Sequence, residues 1–135
     1  PLAAMRKAVN VFLEQGNGGN IITISSLGAY HQAAGAIYGA SKAAVNAMAL
    51  HTAFTYTKEH IRSNVIAPGG IDTEIGAAMG QPDMDGFGRI KGVHSLMPAT
   101  GKSMDIANCA LFLASDDSAF ISGQVIGVDG GWSAM

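Results

Sequence analysis

IITISS, residues 21–26, runs four β-branched side chains into two hydroxyls, and twelve residues past the second serine YGASK, residues 38–42, opens a stretch dense in alanine. A short β-branched run bounded by the glycines of GNGGN (Gly16–Asn20) and by Ser25 and Ser26 predicts a buried strand over Ile21–Ile24. From Tyr38 to Glu59, Ala, Met and Leu are interspersed with Lys42, Asn46 and Lys58, which predicts a long helix of about 20 residues. IRSNVIA, Ile61–Ala67, follows as a second apolar strand, stopped by Pro68, Gly69 and Gly70.

Outward from this unit, Leu2, Met5, Val9, Phe12 and Leu13 recur at helical spacing, predicting an uncapped amphipathic helix near 1–15. Residues 71–101 carry glycines, two prolines and Met79, Met84 and Met97, the composition of a mobile, lid-like segment with room for short helices. Ser103 reads as the N-cap of a helix that carries Ile106, Ala107, Ala110, Leu111 and Leu113 and ends near Ser115. QVIGVDGG, Gln124–Gly131, reads as a last strand running into a glycine turn. Alternating helices and apolar strands predict an α/β fold with a parallel sheet covered by helices on both faces. Three strands make a small sheet, so the expectation is a single partial domain, part of something larger.

Composition narrows the function classes. The chain has 135 residues, 48% hydrophobic and 13% charged, with formal net charge −2. Eight Lys and Arg spread thinly offer no basic stripe for phosphates, which argues against nucleic acid as a partner. No apolar run approaches the roughly 18 residues that span a bilayer, so no membrane segment is expected. A single cysteine, Cys109, excludes an internal disulfide and fits a reducing, cytoplasmic setting. His31, His51, His60 and His94 lack paired metal spacing, and no metal site is expected; His31 reads as simply exposed.

The chemistry concentrates around YGASK. Residues four apart share a helix face with Cβ atoms about 5–6 Å apart, so Tyr38 and Lys42 can present a phenol and an ammonium to one site. A neighbouring cation favours the phenolate, which suits Tyr38 to exchange protons as a general acid or base. A hydroxyl at the strand end, from Ser25 or Ser26, can hold a substrate oxygen where Tyr38 reaches it. None of these groups accepts a hydride, so a carbonyl reduction here needs an external nicotinamide. Each feature alone is ordinary: a Tyr–Lys pair on a helix is usually an exposed pair, and serines after a strand usually turn the chain.

The combination is what distinguishes the chain, which resembles the short-chain dehydrogenase/reductase family along its whole length. IITISS is similar to the family's strand ending in the active-site serine, YGASK to its Y-x-x-x-K motif, NVIAPGGIDT to its P-G-x-x-x-T segment, and SAFISGQVIGVDGG to its C-terminal signature. The resemblance implies a Rossmann-like doubly wound parallel sheet, NAD or NADP as cofactor, and a small-molecule secondary alcohol or ketone as substrate. It implies Tyr38 as acid/base, Lys42 as its electrostatic partner and ribose contact, and Ser26 as the group orienting the substrate oxygen. Counting back from Tyr38 by the family's commonest interval, thirteen, lands on Ser25, whereas the strand end favours Ser26, and the strand end is the firmer guide because loops absorb deletions. Pro68, Gly69, Ile71 and Thr73 are implied to face the cofactor, with 71–101 as the substrate loop. A homodimer or homotetramer is implied, built partly from the first helix and the Tyr38–Glu59 helix.

The family's glycine-rich phosphate loop is absent, since GNGGN precedes a strand instead of following one. The expectation is therefore the C-terminal portion of the fold, without the N-terminal βαβ nucleotide half. The competing expectation is a noncatalytic packing and oligomerisation fragment that cannot bind dinucleotide by itself.

Overall fold

The computed structural model describes residues 1–78 and 80–134. Its elements are α1 (Leu2–Gln15), β1 (Gly19–Ile24), α2 (Ala36–Thr55), β2 (Ile61–Pro68), β3 (Ile71–Asp72), α3 (Ile75–Ala78), α4 (Met84–Ser95), β4 (Gly101–Lys102), α5 (Ser103–Ala114) and β5 (Val125–Val128). The two β-branched runs lie side by side. β1 pairs with β2 in parallel, Ile21 opposite Ser63 and Thr23 opposite Val65, and β2 pairs in parallel with β5, Val65 opposite Val125. Strand β2 is thus central in the order β1-β2-β5. That position explains its composition: Ile61, Val65, Ile66 and Ala67 are buried, as a strand covered on both faces requires.

The two faces of the sheet differ in chemistry. On one, Val65 packs with Met5 of α1 and Ala49 of α2, and Ile21, Met48 and Val125 close around them. On the other, α5 delivers its last carbonyls to polar side chains of the strands. The Asn20 amide donates to the Leu113 carbonyl at 2.6 Å, and the Arg62 guanidinium donates to Leu113 at 2.9 Å and to Ile121 at 3.1 Å. Asn64 donates to Ile121 at 2.8 Å and accepts from the Gln124 amide at 3.0 Å. A helix C-terminus leaves carbonyls unpaired and carries partial negative charge, so a fixed cation there both satisfies and complements it. Arg62→Ala should therefore lower stability by about 2–3 kcal/mol, with Arg62→Lys recovering only part, as measured by urea unfolding.

One sequence expectation needs amending. Ser103 is the first residue of α5 and Lys102 its N-cap; the Lys102 amide donates to the Asp105 carboxylate at 2.7 Å, so an acidic side chain inside the first turn does the capping expected of the serine. The last strand, Val125–Val128, runs into the Asp129–Gly131 turn, as its sequence predicts. Residues 71–101 hold α3, α4 and the β3–β4 pair, the short helices their composition left room for, and α4 begins with Asp83 accepting from the Asp85 amide at 3.2 Å. The far end of α4 is pinned by the Trp132 indole, which donates to the Val93 carbonyl at 3.2 Å. Met79, expected in that segment, lies outside the described residues. Among the described residues no helix is long and apolar enough to cross a membrane.

Candidate active site

At the carboxyl ends of β1 and β2 lies a half-open cavity of about 1100 Å³. The sequence-derived residues all reach it: Ser25, Ser26, Tyr38 and Lys42 line it from β1 and α2, and Pro68, Gly69, Ile71 and Thr73 line it from the exit of β2. Ligands in open α/β folds bind in this position, outside the carboxyl ends of parallel strands, because the loops there diverge and leave a crevice.

Tyr38 and Lys42 point to one side of α2. The Lys42 ammonium sits 5.6 Å from the centroid of the Tyr38 ring, and its Nζ donates to the Ile24 carbonyl at 3.3 Å. The strand end therefore aims the cation. Sequence reasoning had no signal for that anchor, since a backbone carbonyl has no side-chain signature.

The two serines have different occupations. Ser25 is buried, its amide donating to the Ile66 carbonyl at 2.8 Å and its hydroxyl to the Lys42 backbone carbonyl at 3.2 Å. Its proton is committed to joining β1 to α2. Ser26 is half-buried at the head of a short 3₁₀ turn, Leu27–Ala29, where its Oγ accepts from the Gly28 amide at 3.1 Å. Its own hydroxyl proton is left to donate into the cavity.

The loop between Ser26 and Tyr38 is drawn tightly against α2. A Cβ added at Gly39 would lie 2.7 Å from the Gly28 carbonyl oxygen, so glycine at the second position of YGASK lets the helix meet the turn backbone to backbone. A Cβ at Gly28 would in turn lie 3.5 Å from both Ser26 Oγ and Tyr38 Cε1. The serine and the tyrosine thus flank one glycine. His31 stands in this loop against Tyr30, ring centroids 5.0 Å apart, and does not line the cavity.

On the β2 side, a Cβ at Gly69 would lie 2.6 Å from the Asp129 Cβ, so glycine permits the C-terminal turn to pass behind the cavity wall. The Asp129 carboxylate accepts from the Gly131 and Ser133 amides at 2.9 and 3.0 Å. Burial alone would raise its pKa, yet hydrogen bonds from Ser133 and the Gly131 amide hold it below the ordinary carboxylate value. Burial, and then the Asp129 charge, push the Tyr30 phenol above its usual range, with a Ser133 hydrogen bond opposing them. The turn after β5 thereby approaches both the loop at Gly69 and the loop that follows Ser26. Helix α4 contributes Gly86, Phe87, Ile90 and His94 to the same cavity. No cluster of three or more His, Cys, Asp or Glu side chains placed to hold a metal occurs among the described residues.

Comparisons with known proteins agree with this architecture. The family model described as enoyl-(acyl carrier protein) reductase matches residues 1–133. The 3beta-hydroxysteroid dehydrogenase 2 of Eggerthella lenta is 42% identical over 130 residues, covering 96% of this chain and 50% of that protein. Among solved structures, 4-hydroxyisoleucine dehydrogenase complexed with NADH and succinate superposes with a TM-score of 0.82 at 31% identity, over 100% of this chain and 55% of that one. An Agrobacterium tumefaciens protein solved with bound NADP superposes at 0.75 with 32% identity, over 92% of this chain and 50% of that one. The chain belongs to the short-chain dehydrogenase/reductase family. It spans about half the length of the curated relatives it matches.

Proposed function

We propose that the protein to which this chain belongs is an NAD(P)-dependent oxidoreductase that interconverts a secondary alcohol and a ketone, with Ser26, Tyr38 and Lys42 as its catalytic residues. The observation that carries the reading is the convergence of a phenol, a cation and a free hydroxyl proton on one cavity whose other wall is the Pro68–Thr73 segment.

The residues fit the nicotinamide end of a dinucleotide. Pro68 and Gly69 keep side-chain bulk out of the crevice, and Ile71 and Thr73 continue its wall toward α3. We assign the Ile71 backbone to the carboxamide, the Thr73 hydroxyl to a second contact, and the Lys42 ammonium to the ribose, with Tyr38 beside it. When bound, the dinucleotide supplies or takes the hydride. Solved relatives with NADH and with NADP support either cofactor.

The protein's own residues handle the oxygen. In the reducing direction the Ser26 hydroxyl hydrogen-bonds the carbonyl oxygen and keeps its proton, while the Gly28 amide, donating to Ser26 Oγ, holds it in place. Tyr38 then gives its proton to the developing alkoxide, and the Lys42 ammonium stabilises the charge left on the phenol oxygen. In oxidation the same groups run in reverse. Helix α4 and its flanks, within residues 71–101, form the substrate-facing lid. Leu50 and Phe54 project from α2, the latter 86% exposed, which supports self-association through α1 and α2 into a dimer or tetramer. Free Cys109 fits a cytoplasmic setting.

The test separates the two serines. Ser26→Ala should lower kcat for NADH- or NADPH-dependent ketone reduction by about 10²–10³-fold, the loss typical of removing one oxyanion donor. Ser25→Ala should chiefly lower the melting temperature. Equal kinetic loss in both variants would remove Ser26 from the mechanism, and no ketone turnover or dinucleotide binding by the full-length protein would remove the enzymatic reading in favour of a packing and oligomerisation role.

A further inference from the structure

One stripe of α4 lines the cavity that Tyr38 also lines. Gly86, Phe87, Ile90 and His94 recur at helical spacing and all line the cavity, so the wall is apolar except at its last turn, where the imidazole stands. That imidazole is held by rings on two sides. Its centroid lies 5.2 Å from Phe87, tilted 48°, and 5.8 Å from Trp132, edge-on at 66°. Trp132 is itself buried and fixed by its bond to the Val93 carbonyl. Aromatic contacts fix the plane of an imidazole without using its nitrogens, and among the described residues the His94 nitrogens have no hydrogen-bond partner. A half-buried, oriented and unoccupied polar group at the end of an apolar wall is the arrangement by which a pocket reads one polar atom of a ligand.

We propose that His94 is the specificity-determining residue of the substrate half of the cavity: it hydrogen-bonds a second oxygen on the substrate, remote from the reacting carbon, while Phe87 and Ile90 receive the apolar body between. The inference rests on the oxidoreductase reading above and narrows its substrate class to alcohols and ketones with a mainly apolar frame and a distal oxygen. Trp132 acts as a positioning residue, setting the ring through α4.

The experiment compares 4-phenylcyclohexanone with 4-(4-hydroxyphenyl)cyclohexanone in the full-length protein, by turnover and by calorimetric binding in the presence of dinucleotide. The 4-carboxyphenyl analogue distinguishes a hydroxyl from a carboxylate as the recognised oxygen. The wild type should favour an oxygen-bearing ketone by about tenfold, one net hydrogen bond. His94→Phe, which keeps the ring contacts, should abolish the preference for the oxygen-bearing ketone over the unsubstituted one. His94→Gln should restore part of it. Trp132, the one tryptophan of this 135-residue chain, reports by its fluorescence, taken as the difference from Trp132→Phe, that α4 remains docked. An unchanged preference in His94→Phe, an equal loss for every ketone, or no binding of any of them overturns the assignment. Discrimination in binding without turnover would sustain His94 and sink the oxidoreductase reading instead.

Discussion

Tyr38→Phe is expected to lower kcat by about 10²–10⁴-fold while dinucleotide affinity changes by less than about threefold. The substitution is a clean one here. The ring packs beside Gly28, close to its Cβ direction, and phenylalanine preserves that contact, so only the exchangeable proton is removed. Ser26 and its Gly28 amide bond remain to hold the substrate oxygen. KM for the ketone should accordingly move little, the pattern of an interaction made chiefly in the transition state. Steady-state kinetics with calorimetric titration of NADH and NADPH checks both halves; a variant that retained most of its rate would eliminate Tyr38 as the proton donor.

Lys42→Met should cost more, because one ammonium serves two purposes. It lies over the phenol ring and donates to the Ile24 carbonyl, and it is the group assigned to the ribose. Losing the charge should remove the support for a phenolate, about 10²–10³-fold in kcat, and losing the donor should weaken the dinucleotide by roughly tenfold, so kcat/KM falls by about 10³–10⁴. Methionine keeps the length and apolar stem, which isolates the charge from packing. Lys42→Arg should be intermediate, since a planar fork cannot direct one compact donor to the Ile24 carbonyl as an ammonium does. If dinucleotide affinity and turnover both survive Lys42→Met, the ammonium has neither role.

Much of the frame was legible because it rests on local pattern. The β-branched runs at 21–24 and 61–67 became adjacent parallel strands, and the Tyr38–Lys42 interval put both groups on one side of a helix. Side-chain period and strand composition are properties of neighbouring residues, which a linear chain displays. The devices that hold the site were not legible. Arg62 reaches carbonyls more than fifty residues away, at Leu113 and Ile121, and a lone arginine in an apolar strand gives no hint of its acceptors. Backbone carbonyls also anchor Lys42 and Ser25, and every residue has one. The Ser103 cap was misplaced by one residue because the choice between a hydroxyl and the Asp105 carboxylate depends on backbone geometry at the helix start.

The linear order of residues determined the α/β class, the family and the group of hydroxyl, phenol and ammonium, since each follows from residue type and spacing along one or two elements. Only the tertiary structure decided that Ser25 spends its proton on the Lys42 carbonyl while Ser26 keeps its own, and that α4, held by Trp132, lines with Phe87, Ile90 and His94 the cavity that Tyr38 lines. Those outcomes depend on which distant groups arrive within about 3 Å of one another, and hydrogen bonding is too short-ranged and directional for sequence separation to reveal it.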